Sequence, residues 1–201
     1  MGVKFKTTVN KLPEISETME MLGGKSVKVG ALRGDHAWLA GIHEYGCDIK
    51  AKNARFLTVP IHPDSVGKKA RDFPDLFVFT AASGEKFLAK GEGDNLVFYF
   101  WLTPSVKIPE RSFLRTGHDE NIDDIMKRMD IAIKELLANK KTVRGVCETY
   151  GHQMATAIKK KMRDISSPPN SDATILAKGS SNPLIDTGGL LESITYKTES
   201  E

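Results

Sequence analysis

Five side chains able to bind a metal or move a proton lie close together in the chain: Asp35, His36, His43, Glu44 and Cys47. A helix holds one zinc ion with ligands three or four positions apart, because only those side chains converge on a single point. His36 and His43 are seven apart, so they share a face without meeting that spacing. The His43-Glu44 pair also lacks the second histidine, four positions on, that completes a zinc hydrolase motif. One reading is a metal-dependent hydrolase built on His36, His43 and Glu44. The simpler reading is a helix capped by Asp35 with partly exposed histidines.

Other reactive groups give way to structural roles in the same manner. Cys147 with Tyr150 and His152 suggests an activated thiol, but on a helix position 152 points away from 147, and Cys147 falls on an apolar stripe. Gly179 and Gly188-Gly189 could cradle a phosphate, yet neither sits in a P-loop or dinucleotide fingerprint. Turn chemistry explains them, with Asp186 and Thr187 as helix caps. No catalytic residue, metal ligand set or cofactor site is expected, and the chain is read as a non-enzyme.

Charge adds little. The chain of 201 residues has a formal net charge of +3, with 29 basic and 26 acidic residues interleaved, so a dedicated nucleic-acid binder is disfavoured. Lys159, Lys160, Lys161 and Arg163 form the one compact basic cluster. Its place at a helix C-terminus complements the helix dipole, and it could also face an acidic partner or passing DNA. Cys47 and Cys147 are far apart and are read as free thiols made in a reducing cytoplasm. The longest apolar run, residues 96–102, is far short of the about 20 residues that span a bilayer as a helix, so a soluble protein with no membrane partner is expected.

The elements that must position these residues follow from periodicity. Residues 26–32 alternate as a half-buried strand, and Trp38, Leu39, Ile42 and Tyr45 mark the apolar face of a helix over 36–45, stopped by Gly46. Strands are predicted at 56–61, 76–80, 86–89 and 96–102, a β meander with turns at Ser83-Gly84 and at residues 91–95. The last of these is apolar on both faces, so both should be covered. Helices follow at 121–137 and from about Thr142, joined by a short link into an antiparallel hairpin. Gly145 and Gly151 interrupt the second, which points to close packing there. Residues 174–179 read as extended or loop, 190–193 as a short helix or turn, and 194–198 as a final strand. The predicted fold class is α+β: an antiparallel sheet against a long helical hairpin, with a small β meander inserted, for which an SH3-like barrel is one form. The core is assigned to 1–55 and 109–201 and the inserted β-rich part to 56–108. Between them, Pro109 imposes an extended approach, Phe113 and Leu114 anchor the junction, and Glu110, Arg111 and Arg115 stay outside, where arginine forks can clasp a neighbouring subunit.

Four segments together resemble the tail-completion, or neck, proteins of tailed bacteriophages: Leu39-Ala40-Gly41-Ile42-His43-Glu44-Tyr45-Gly46, Ile108-Pro109-Glu110-Arg111-Ser112-Phe113, Pro168-Pro169-Asn170-Ser171 with Thr174 and Lys178-Gly179, and Pro183-Leu184-Ile185-Asp186-Thr187-Gly188 with Leu190 and Ser193-Ile194. The similarity runs from about Lys25 to the C-terminus. The resemblance implies a structural virion component, made in the host bacterial cytoplasm, that forms a ring of six copies at the neck. Its partners would be itself, the tail terminator or tail tube protein, and the connector or head-closure protein, with DNA only as passing cargo. A tail terminator ring is the neighbouring alternative, and a phage-tail-like particle is an equivalent setting. A closed ring uses two different patches on each subunit. One is expected at the 96–102 strand or among Ile108, Pro109, Glu110, Arg111, Phe113 and Arg115. The other is expected near Asp186, Thr187, Gly188 and Leu190, with the basic cluster of Lys159, Lys160, Lys161 and Arg163 turned toward the channel.

Overall fold

The structure is a computed structural model that describes residues 10–200. In chain order its elements are α1 (Leu12–Gly23), β1 (Lys25–Ala31), α2 (Gly34–Tyr45), β2 (Cys47–Lys50), β3 (Leu57–Pro60), β4 (Phe77–Thr80), β5 (Lys86–Lys90), β6 (Val97–Thr103), β7 (Ser105–Ile108), α3 (Leu114–Asp119), α4 (Ile122–Leu137), α5 (Val143–Asp164), α6 (Asp172–Lys178), α7 (Gly189–Ser193) and β8 (Ile194–Ser200). The class is α+β, with antiparallel pairing throughout.

The amphipathic stripe of α4 buries Ile125, Met129, Ala132 and Leu136 against α5, which brings Val146, Met154, Ile158 and Met162. Arg128 of α4 donates to Gln153 of α5 at 2.8 Å, a pairing across the link that fits the predicted antiparallel hairpin. Thr142 caps α5 by accepting from the Gly145 N–H. The other side of α5 carries the ribbon of β1 and β8, in register from Lys25 opposite Ser200 to Ala31 opposite Ile194. The core sheet is therefore two strands laid on one helix of the hairpin. At Gly151 a Cβ would run into the Tyr196 ring of β8, so the absent side chain sets how closely strand and helix approach. Gly145 has no such role, since a Cβ there would meet only the Lys141 and Thr142 side chains of its own turn.

Between β2 and β7, which pair with each other, the chain builds a four-stranded sheet in the order β3-β6-β5-β4. No residue of this sheet joins the main apolar core. It has its own small centre, where Ala89 and Phe100 are buried and Phe98 lies 5.0 and 5.3 Å from Phe87 and Phe79. A bulge leaves Tyr99 without a partner on β5, and its carbonyl accepts instead from Ser65 Oγ at 2.8 Å and the Ile61 N–H at 3.0 Å. Among the described residues the four-stranded sheet is open, with β3 and β4 as its edges. The 96–102 run is only half covered, with Val97 39 % exposed and its neighbours Phe98 and Tyr99 half-buried.

Local structure departs from expectation at four places. α2 starts at Gly34 after an extended Arg33, so Asp35 lies within the first turn and caps nothing. Only part of its apolar stripe turns inward: Leu39 packs on the main core and Ile42 is half-buried, but Trp38 and Tyr45 are 72 % and 68 % exposed, while Ala40 and Glu44 are buried. Residues 172–178 are helical, with the Ser171 hydroxyl accepting from the Thr174 N–H and Gly179 in the left-handed region at φ 68°. α7 is preceded by Gly188, with Asp186 and Thr187 outside the cap position.

Candidate functional site

Glu44, the last turn of α2, sits deepest. It is 2 % exposed, and its carboxylate accepts from Ser112 Oγ at 2.7 Å, from the backbone N–H groups of Phe113, Leu114 and Arg115 at 2.9, 2.8 and 3.1 Å, and from Arg115 Nε at 2.9 Å. The free N–H groups at the start of α3 are thus satisfied by a side chain about seventy residues earlier. Burial pushes this carboxyl up, but the Ser112 hydroxyl, the Leu114 and Arg115 N–H groups and the Arg115 guanidinium outweigh it and hold it below the usual range. Arg115 stays exposed, lies 4.9 Å over the Tyr45 ring and pairs with Glu110 at 2.6 Å. Gly46 lets α2 end hard against the junction, where a Cβ would meet the Ile108 carbonyl oxygen at 2.9 Å and the Glu110 nitrogen at 3.0 Å.

Arg111, expected outside, is 5 % exposed. Its Nε donates to the Pro168 carbonyl at 2.7 Å and its Nη2 to Pro169 O at 2.9 Å and Asn170 Oδ1 at 3.4 Å. Its own N–H donates to the His43 carbonyl at 2.7 Å. A residue that sequence logic assigns to solvent is therefore turned inward by carbonyls from the segment after α5, which have few other donors because prolines supply none. That segment is ordered further by Asn182, whose Oδ1 accepts from the Leu184 and Ile185 N–H groups at 3.0 Å each. Lys178 donates to the Asn182 and Pro183 carbonyls at 2.9 and 3.4 Å.

These contacts enclose a cleft of about 640 Å³ between α2, the β7–α3 junction and the 169–190 segment. Ile108, Pro109 and Arg111 line it from one side, and Asp186, Thr187, Gly188 and Leu190 from another. Residues of the 108–111 junction and of the 186–190 segment, expected as different ring contacts, thus line a single cleft. Phe113 is buried in the main core and Leu190 is 7 % exposed, so both side chains serve the fold first, whereas Glu110 and Arg115 are exposed beside the cleft. His43 lies in the lining with its Nδ1 buried and without a hydrogen-bond partner among the described residues. Burial, then the Arg111 and Lys178 charges, push the imidazole pKa down, so it is neutral at neutral pH. Burial also lowers Lys178, with Arg111 acting the same way and Asp186 opposing.

The metal grouping does not assemble. His36 extends toward Gly189, Glu44 is saturated by donors from residues 112–115, and among the described residues no three His, Cys, Asp or Glu side chains group as an ion's ligands. In the basic cluster, Lys161 is tied to Glu120 at 2.6 Å, while Lys160 and Arg163 are exposed and Lys159 is half-buried. Cys147 is buried in α5, and burial raises its thiol pKa. Lys178, Asn170 and Asn182 received no individual role in the sequence. The Asn and Pro spacing of 168–183 is the signal that could have found them, since it supplies carbonyls and side-chain amides without a regular ladder. Among the described residues no helix is long and apolar enough to cross a membrane. Comparison with known protein families, curated proteins and solved structures returns no match to the chain.

Proposed function

We propose that the chain is a structural protein of the virion of a tailed phage or phage-tail-like particle, forming a ring at the neck that completes the tail and joins it to the head. The observation that carries this reading is the convergence of the four resembling segments on one node. Residues 39–46, 108–113, 168–179 and 183–194 are far apart in sequence, yet Glu44, Arg111, Asn182 and Lys178 bind them to one another and to a shared cleft. A motif set that works as one interlocked unit supports a common architecture more strongly than four short matches do separately.

Exposed apolar surface supports the assembly role. Trp38 and Tyr45 are 72 % and 68 % exposed on α2, with Arg115 over the Tyr45 ring, and Phe77 and Val78 are 43 % and 60 % exposed on β4, an edge strand of the four-stranded sheet. Aromatic side chains and open strand edges are what subunit contacts cover. A heterologous contact between one such surface and a different patch on the next copy closes into a ring when the rotation allows it. The test combines native mass spectrometry of the purified chain with electron microscopy of particles lacking it. A closed oligomer, together with finished tails that stay separate from filled heads, is expected. Overlong tails would instead assign the terminator role, and a monomer with normal particles in its absence would sink both.

A further inference from the structure

The cleft has an unusual electrical composition. Lys107, Arg111 and Lys178 all line it, and Asp186 is the single carboxylate in the lining. None of the three cations makes a salt bridge among the described residues. Arg111 and Lys178 are satisfied only in part, by carbonyl and amide oxygens. The bonds of Arg111 use Nε and Nη2, leaving Nη1, and Lys178 has three N–H groups for two carbonyls. Like charges held together destabilise a fold unless something negative offsets them.

We propose that this cleft binds an acidic peptide segment of a partner protein, a side-chain carboxylate seated on Arg111 and Lys178 with apolar flanking residues against Leu39, Val106 and Pro109. Charge complementarity selects the carboxylate, one oxygen of which can accept from the remaining Nη1 of Arg111 and the other from Lys178 Nζ. The shape selects a peptide over nucleic acid. Arg111, 5 % exposed, lines a concavity shared with Leu39, Val106, Pro109, Pro169 and Pro183, an apolar lining that suits the side chains of an extended peptide better than a phosphate backbone. His43 also lines the cleft, so its ring reports on an incoming chain, although its Nδ1 is buried and offers that chain no contact. The proposal holds whether or not the chain closes into a ring, and a binding result is read independently of oligomeric state.

The test is a titration of the full chain, followed by NMR of backbone amides and histidine rings, with four probes. These are a capped heptapeptide alternating Asp or Glu with Leu and Val, the same peptide with Asn and Gln in place of the acids, inorganic phosphate, and a short DNA duplex. The acidic peptide should shift the His43 ring and the amides of residues 107–111 and 178–190, and its amide counterpart should bind at least about tenfold more weakly. Lys178→Met should weaken the acidic peptide about tenfold, and Lys107→Gln, at an exposed position whose side chain makes no hydrogen bond or ion pair among the described residues, by a few-fold. Raising salt should weaken binding further. Absence of cleft shifts at millimolar peptide overturns the proposal. So does equal binding of the two peptides, or tighter binding of phosphate or DNA. Circular dichroism of both variants separates lost binding from lost folding, and Lys107→Gln with the peptide pair keeps the test decisive if Lys178→Met unfolds.

Discussion

Replacing Glu44 by Gln is the sharpest probe of how the chain is held together. The carboxylate offers two acceptor oxygens to five donors: Oε2 takes the Phe113 and Leu114 N–H groups, and Oε1 takes Ser112 Oγ, the Arg115 N–H and Arg115 Nε. A glutamine keeps one oxygen and turns an NH₂ toward the other set. If the amide nitrogen replaces Oε2, two backbone N–H groups in a buried place lose their acceptor. If it replaces Oε1, the Ser112 hydroxyl can rotate to accept, but the Arg115 donors cannot. Either way about two donors are stranded. At roughly 1–3 kcal/mol for each unsatisfied buried group, the loss is on the order of 2–6 kcal/mol, a large share of the about 5–15 kcal/mol that typical domains possess. For a chain of this size that corresponds to a fall in melting temperature of roughly 4–24 °C. Thermal unfolding by circular dichroism measures it, and hydrogen exchange at Phe113 and Leu114 localises it. Glu110→Gln is the control, since that exposed ion pair with Arg115 should cost under about 1 kcal/mol. Equal melting temperatures for the two variants would refute the assignment of Glu44 as a central fastener. The pH dependence has a definite sign. Glu44 is held below its ordinary value in the folded state, so its contribution is complete above the unfolded glutamate pKa of about 4.3 and disappears as pH falls through the folded value. Glu44→Gln should flatten that acid limb.

Three further outcomes follow from packing and exposure. Gly151→Ala should cost about 1–3 kcal/mol in chemical denaturation because its methyl group meets the Tyr196 ring, while Gly145→Ala, facing only the flexible stem of Lys141 and the Thr142 hydroxyl, should be neutral or gain up to about 1 kcal/mol. Alkylation of native protein by iodoacetamide near pH 8 should modify half-buried Cys47 at least about tenfold faster than Cys147, whose thiol pKa is raised chiefly by burial; mass spectrometry of the peptides reads the ratio. Trp38→Asp should leave stability within about 0.5 kcal/mol, as a substitution at an exposed position does, yet weaken self-association in sedimentation velocity if the ring uses this face.

The sequence was most legible where one local pattern decides the outcome. The 3.6-residue stripe of α4 and the polar turns of the meander need no distant partner, and both elements formed close to where they were expected. α2 shows the opposite case. By hydrophobicity its inner face should hold Trp38 and Tyr45, but the helix buries Glu44, because the donors that make a buried carboxylate tolerable lie at residues 112–115. Arg111 is misplaced for the same reason, since its acceptors arrive with Pro168 and Pro169. α6 was misread for a different one. Ser171 and Gly179 are ordinary start and stop signals, yet seven residues between turn formers are too short a window for periodicity to register. Half of the candidate site was visible as motifs, but that residues 108–111 and 186–190 line one cleft depends on which carbonyls Arg111 and Lys178 reach.

The two buried charges nearest the node differ in a way that separates framework from surface. Glu44 and Arg111 both come from segments that pack on one another, yet they are not paired with each other; each is satisfied by elements brought in from elsewhere in the chain. An ion pair would have fastened two residues. Separate shells let the anion hold the start of α3 and the cation hold the turn after α5, so each charge specifies a different long-range contact. Glu44 has filled both oxygens and has no capacity left for a ligand. Arg111 and Lys178 retain donors, share an accessible cleft and lack a carboxylate within bonding distance among the described residues. Saturation marks the first as part of the framework, and spare donors on an enclosed positive surface mark the second pair as the place where another chain can bind.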